Sequence, residues 1–311
     1  MSEPKSKRRW FQYSLRALLV LVLLASIGMS WLAVKIRAAK RQKVAVEAIS
    51  ALGHVEYYHE ENAGPHPPPP GPAWARRWLG DDFFLKVRRV IICRRQYLDL
   101  TDEQIEHLAW MPDLTWLRLR GVRVDDAAFV HLSRLGKLER LNLGCSTVGD
   151  DGLKHLRRLT RLKELLLYGT RVTDAGLTHL ESLAELRRLD LRDTAVGDAG
   201  LRHLRGLGNL EYLSLGDTRV TDTGLVHLEG LGNLQYLSLS ETRVTDAGSA
   251  SLGRLRRLET LHLDDTSITD AGLEYLKGLT GLESLWLRNT RVTAEGVNKL
   301  QEALPSCEID H

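Results

Sequence analysis

Cutting the chain before Leu114, Leu138, Leu162, Leu186, Leu210, Leu234, Leu258 and Leu282 gives eight lines of 24 residues that align without an insertion. A fixed period of this length limits the possible folds severely, because each unit meets only its neighbours and must bury its apolar side chains against them. The line beginning at Leu162, LKELLLYGTRVTDAGLTHLESLAE, has apolar residues at positions 1, 4, 6, 11, 16, 19 and 22. Its first part alternates as a half-buried strand does, and its last three leucines follow helical spacing. Every unit therefore reads as strand, turn and short helix, with the strands of successive units side by side in a parallel sheet. One unit alone buries too little to fold, so the ends of the array need caps.

A second motif, Thr-Asp-Ala-Gly-Leu, recurs after the strand, as at residues 173–177 and 269–273. Its Thr or Asp suits a helix N-cap, where a side-chain oxygen accepts from unpaired backbone N–H groups and negative charge is favoured. Together the two patterns follow L-x-x-L-x-L-x-x-N/C-x-L, and the chain resembles leucine-rich-repeat proteins. The Thr-Asp-Ala-Gly-Leu turn is similar to the subtype found in F-box substrate receptors, and the N-terminal layout resembles that of membrane-anchored bacterial repeat proteins. The resemblance covers about residues 84–303. It implies an α/β leucine-rich-repeat solenoid, a horseshoe with a parallel concave sheet and convex helices, that binds a protein or peptide. The F-box likeness implies a rival role as the substrate-specificity subunit of an enzyme system of ubiquitin-ligase-receptor type, although no F-box-like helical adaptor precedes the repeats. A structural envelope component is a third reading. One departure concerns the ladder position usually held by Asn or Cys. Here it is Thr in six lines (Thr170, Thr194, Thr218, Thr242, Thr266, Thr290), with Ser146 and Val122 in the other two. A hydroxyl has fewer donors than an amide, which predicts a weaker ladder.

The first fifty residues follow other rules. Residues 17–34, ALLVLVLLASIGMSWLAV, carry no charge, and a helix of that length covers ~27 Å, enough to cross the hydrocarbon of a bilayer. Trp10, Phe11, Tyr13 and Trp31 supply interfacial aromatics. The run does not stop short at a small-x-small processing site but ends in Ser-Trp-Leu-Ala-Val-Lys and continues into the basic KIRAAKRQK, and Arg8-Arg9-Trp10-Phe11 matches a twin-arginine export signal only in part, which predicts an uncleaved single-pass anchor in the cell (inner) membrane. Five basic residues flank each end, so charge asymmetry hardly sets the orientation; the arrangement carried forward has the N-terminus inside and the repeats outside.

The expected layout is a basic tail at 1–12, the anchor at 13–34, and an amphipathic helix at 35–53 with Val44, Ala48, Ile49 and Leu52 on its apolar stripe and Gly53 as C-cap. A Pro-rich linker follows at 54–83, containing Gly64-Pro65-His66-Pro67-Pro68-Pro69-Pro70-Gly71-Pro72, an extended spacer. A capping repeat of stretched spacing occupies 84–113, the eight regular repeats 114–303, and a C-terminal tail 304–311.

Charge and chemistry narrow the function. Residues 1–50 carry ten Lys/Arg against Glu3 and Glu47, a net +8, whereas the remaining 33 basic and 38 acidic residues leave the body at −5. A nucleic-acid partner is not expected, since backbone binding needs a concentrated basic patch. Cys93, Cys145 and Cys307 show no metal or disulfide spacing. Histidine recurs at repeat position 18 as His131, His155, His179, His203 and His227, preceded by His107. These lie between inward leucines on the convex side, beside no carboxylate at ligand spacing, and metal binding needs convergent ligands rather than a row. No nucleotide, hydrolase or metalloprotease signature occurs, so neither catalysis nor a cofactor nor a metal is expected.

What remains is the concave face, where strand positions 3, 5 and 7 point outward. Two Trp, three Tyr and six Arg stand among those 24 positions, a composition typical of binding hot spots. The candidate partner-binding residues are Trp116, Arg118, Arg120, Tyr168, Arg188, Arg192, Tyr212, Tyr236, His262, Trp286 and Arg288. Exposed side chains without a packing role should be removable at little cost, within about 0.5 kcal/mol of stability.

Overall fold

A computed structural model describes residues 7–57, 72–80 and 83–311; for residues 7–16, 56–57 and 94–96 only the backbone is described. Among the described residues eleven strands form one open sheet in strict sequence order. They are β1 (His54–Tyr57), β2 (Val87–Asp99), β3 (Trp116–Arg123), β4 (Arg140–Asn142), β5 (Glu164–Leu166), β6 (Arg188–Asp190), β7 (Tyr212–Ser214), β8 (Tyr236–Ser238), β9 (Thr260–His262), β10 (Ser284–Trp286) and β11 (Glu308–Asp310). From β3 to β11 each residue pairs in parallel with the one 24 positions on, as Leu165 with Leu189 and Leu213 with Leu237. The sequence period is thus the sheet register.

Inward positions build one continuous core. In the line from Leu162, Leu162, Leu165, Leu167, Val172, Leu177, Leu180 and Leu183 are all fully buried, and the same columns are buried line after line. Each strand turns through a left-handed residue at position 8, with φ of 68° at Gly121 and 64° at Gly169. Asp193, Asp217, Glu241, Asp265 and Asn289 accept the same conformation at 50–58°; Asp and Asn tolerate it best among side-chain-bearing residues.

The helical side is held by a clasp that the aspartate of each turn extends to the next unit. Asp222 opens the short helix Asp222–Leu225, and its two carboxylate oxygens accept from the backbone N–H of Thr245 at 2.7 Å and from the Thr245 hydroxyl at 2.6 Å. Thr245 in turn caps its own helix, Asp246–Leu252, by accepting from the N–H of Ala247. The same bridge links Asp150 to Thr173, Asp198 to Thr221, Asp246 to Thr269 and Asp270 to Thr293. Glycine is required two residues beyond the aspartate because the preceding unit's carboxylate fills the space: a Cβ on Gly248 would lie 2.5 Å from Asp222 Oδ1 and 2.8 Å from a Leu225 methyl. The convex side consists of such short helices and 3-10 turns.

The ladder threonines work differently from an amide ladder. Thr170, Thr194, Thr218, Thr242, Thr266 and Thr290 each donate to the carbonyl three residues back in their own turn, at 2.5–2.6 Å. Contact between units rests on the shared apolar core, the strands and the aspartate clasp.

The N-terminal boundaries differ from the expected layout. Helix α1 (Lys7–Ser50) runs without a break through the apolar stretch and the stem, so the segments expected at 13–34 and 35–53 are one rod. Its portion Ala17–Ser50 is long and apolar enough to cross a membrane, and Leu18 to Trp31 projects with its large apolar side chains exposed. The buried stripe is rotated from that expected: Gln42, Ala45 and Ile49 are buried, whereas Val44 is half exposed. The reason is that this face packs on the solenoid's first cap helix, α3 (Asp102–Leu108), rather than facing solvent or headgroups. Gln42 Nε2 donates to the Leu85 carbonyl at 2.9 Å. Gly53 ends the rod where a Cβ would overlap the Ile91 carbonyl.

The segment expected to be linker at 54–83 is in part structured. Residues 54–57 are β1, which pairs antiparallel with β2 and covers the open edge of the otherwise parallel sheet, and residues 73–79 form α2 (Ala73–Leu79). The proline run 65–70 lies outside the described residues. The stretched cap keeps its register by looping: Val90 pairs with Leu117, 27 positions on, but Leu98 pairs with Val122, 24 on, with the irregularity between Cys93 and Leu98. Thr101 and Gln104 then close a capping box at the start of α3. At the far end the expected tail 304–311 is a partial ninth unit. Leu304 and Cys307 are buried, and β11 adds Ile309 opposite Leu285. The missing leucines of a full line hid it.

Candidate functional site

Alternation on the strands places the candidate residues on the outer sheet face, and none of the eleven is buried. Their surroundings differ along the array. From Arg188 onward, the structure assembles one continuous row. The Arg188 guanidinium lies 3.5 Å over the Tyr212 ring; Tyr212 and Tyr236 stack at 4.1 Å, 9° from parallel; Tyr236 meets His262 at 5.3 Å; His262 and Trp286 stack at 5.3 Å and 8°; and Arg288 closes the row 4.8 Å from Trp286. Strands ~4.8 Å apart bring rings in one column to stacking distance. Tyr212 and Tyr236 share column 3, whereas His262 and Trp286 share column 5. The row therefore crosses the sheet diagonally, ending at Arg288 in column 7.

Charged neighbours hold the row in place. Arg288 Nε donates to Asp310 at 2.8 Å, and the Arg288 backbone N–H donates to Asp264 at 3.0 Å. Asp264 also faces His262 at 3.6 Å. Burial pushes the His262 imidazole below the ordinary histidine range, against the opposing pull of Asp264. Burial beside Tyr212 likewise pushes the Tyr236 phenol up. At the head of the row Asp190, only 2% exposed, accepts from Arg192 Nε at 3.0 Å and Nη2 at 2.7 Å. That bidentate bond raises the Arg192 pKa and fixes a guanidinium beside the tyrosines.

The first half of the face is organised around single aromatics. Tyr168 lies flat over Gly144, where a Cβ would overlap its ring. Arg120 and Arg192 flank it at 5.6 and 5.7 Å. Trp116 is covered by Arg89 at 3.7 Å. Arg118 stands outward in column 5.

Column 5 is less open than alternation implies: Asn142, Asp190, Ser214 and Ser238 are buried there. Asn142 uses its carbonyl oxygen to accept from the Gly144 N–H at 2.9 Å. Asp190, Asp264, Asp310 and Arg89 support the face but do not stand out in a single line. Writing adjacent lines one above another finds the Tyr212–Tyr236 pair at once, and shows no comparable signal for the diagonal step to His262.

The histidine column on the helical side also differs from expectation, since carboxylates do reach it. His131 Nε2 lies 3.3 Å from Asp102, and His203 Nδ1 contacts Glu181. Side chains 22 and 29 residues earlier come from the preceding unit, a spacing invisible within one line. Burial, aided by Lys154 and Arg157 at His155 and by Arg205 at His227, pushes those two imidazoles below the ordinary range. Among the described residues no three His, Cys, Asp or Glu converge as metal ligands would.

A family model described as Leucine Rich repeat matches residues 137–156, 185–204 and 255–277. With the 24-residue register and the open parallel ladder, this makes the chain a leucine-rich-repeat protein. Among solved structures it is similar to internalin C2 of Listeria monocytogenes, at 26% identity and a TM-score of 0.51, over 68% of this chain and 84% of that one. The internalin InlF of the same organism matches 71% of this chain and 86% of its own at 18% identity and a TM-score of 0.30. No curated protein sequence matches.

Proposed function

We propose that the chain is a membrane-tethered, non-catalytic recognition module that binds a protein or peptide on the concave face of its sheet. The observation that carries this reading is the row Arg188, Tyr212, Tyr236, His262, Trp286 and Arg288. Aromatic and arginine side chains held rigid by one another lose little freedom on binding, the economy that marks interface hot spots. Because the rings stack face to face, a ligand meets their edges, phenol oxygens and indole N–H rather than an open ring face. This favours a polypeptide surface, with its mixture of carbonyls, carboxylates and aliphatic groups. The tether is helix α1, whose uncharged stretch would anchor the chain as a single pass in the inner membrane, N-terminus inside and repeats outside. Internalin C2 supports the scaffold only.

The test is capture of partners from solubilised membranes by the wild type, by Tyr212→Ala/Trp286→Ala, and by His179→Ala/His203→Ala on the helical side. The row variant should lose at least tenfold in affinity for the partner, as hot-spot truncations of ~2 kcal/mol do. Loss confined to the histidine variant would put the recognition surface on the other side. Co-purifying ligase components would instead favour the specificity-subunit reading, and stoichiometric self-assembly the envelope one.

A further inference from the structure

Where α1 meets the solenoid, a groove of about 400 Å³ opens between the rod and the cap. Val34, Ala38 and Trp110 line it with apolar surface, and Arg37, Arg41 and Arg134 stand at its rim. The indole of Trp110 is fixed by an edge-on contact with His107 at 4.7 Å. Among the described residues none of the three arginines has an ion-pair or hydrogen-bond partner. Three unpaired guanidiniums around an apolar slot form a site complementary to an amphipathic anion.

Position along the rod identifies the anion's source. Val34 ends the uncharged run, and Arg37 and Arg41 follow it by ~4.5 and ~10.5 Å along the axis, one within a polar headgroup layer ~5–7.5 Å deep and one just beyond it, from where its long side chain reaches back. We infer that the groove binds one anionic phospholipid: its phosphodiester is held by Arg37, Arg41 and Arg134, and its upper acyl chain lies along Val34, Ala38 and Trp110. Guanidinium forks match phosphate oxygens in geometry as well as charge. Arg134 is the informative member, because it belongs to the repeat body (Asp126–Arg134) and not to the rod. A merely basic stem would attract an anionic surface without it, whereas a site built from both parts needs it. Lipid bound there would fasten the first repeat to the bilayer.

This inference rests on α1 spanning a membrane, and the experiment keeps the two apart. Full-length protein in dodecyl maltoside micelles is titrated with dioctanoyl phosphatidylglycerol, dioctanoyl phosphatidylcholine or inorganic phosphate, with the melting midpoint and native mass spectrometry as readouts. One phosphatidylglycerol should be retained and should raise the midpoint, while the other two ligands do neither. Arg134→Gln should weaken that binding about fivefold, the usual worth of one basic residue at an anionic lipid, whereas Arg161→Gln in the array should leave it unchanged. Equal binding of phosphatidylcholine, saturation by free phosphate, no retained lipid, or unaltered binding in Arg134→Gln would each overturn the site. Release of the full chain from membranes by alkaline carbonate would instead overturn the span, and the micelle titration would still read the groove.

Discussion

The helical side of the array and the outer face of its sheet are made from the same lines, yet they follow opposite rules. On the helical side Asp, Thr and Gly recur with near-identical hydrogen bonds at successive junctions. On the sheet face column 3 changes from Trp116 to Arg140, Glu164, Arg188, Tyr212, Tyr236, Thr260 and Ser284. The clasp repeats because each carboxylate must meet the next unit at the same distance and angle, with a glycine clearing its path. The face varies because neighbours there touch but do not interlock to hold the register. Repetition marks what the array needs in order to stand, and variation marks where it can be specific.

Breaking the repeated side should be most costly. Leu213→Asp places a carboxylate at a fully buried position and should cost several kcal/mol, enough to unfold neighbouring units; a circular-dichroism melt should shift strongly and lose cooperativity. Asp222→Ala removes the acceptor for the Thr245 N–H and hydroxyl, and should lower stability by about 2 kcal/mol with no change in the sheet face. Chemical denaturation measures it, and an Ala variant as stable as wild type would show that the strands and the shared core hold the units together without the clasp.

Smaller effects sharpen the contrast. The stacked pair makes Tyr212→Ala/Tyr236→Ala more costly than ordinary surface truncation, by about 1 kcal/mol for the lost ring contact, so the low cost expected from exposure alone does not apply to this pair. Ser249 occupies position 16, where other lines bury leucine, phenylalanine or valine, and its hydroxyl is buried with no hydrogen-bond partner. Ser249→Leu should therefore stabilise by about 1 kcal/mol. Last comes pH. The imidazole of His262, packed between Tyr236 and Trp286 and facing Asp264, has a folded pKa below its unfolded value. The unfolded chain then binds the proton more readily, so this contribution is present above the ordinary histidine range of ~6.5 and is lost as pH falls through it. His155 and His227 act in the same direction. Melts between pH 7.5 and 5.5 should show declining stability, less steeply in His262→Gln.

The fold was legible wherever a rule acts within one line or at a spacing of 24. Leu165, Leu189 and Leu213 announce both the core and the register, and the outward positions of all the candidate residues follow from alternation. Contacts at other spacings were not legible. Asp222 grips Thr245 at 23 residues, Glu181 meets His203 at 22, and the ring row shifts column at His262. The true stripe of α1 was hidden for a related reason. Val44 is as apolar as Ala45, and only the position of α3 decides which of them is buried. β11 contributes one buried-side residue, Ile309, too few to show a period.

Because successive clasps are interchangeable, the length of the array is a free variable. Removing residues 162–185 would bring Asp150 to Gly197, whose backbone N–H already donates to Asp174 in the same way; removing 186–209 would join Asp174 to Thr221. Each deletion or duplication of a unit between the rod and Tyr212 moves the ring row relative to the rod by one strand spacing, ~4.8 Å, and leaves Tyr212, Tyr236, His262 and Trp286 stacked as they are. Such a chain is a ruler graduated in whole repeats, able to evolve reach and specificity separately, since one is set by how many lines it has and the other by what a few of them carry.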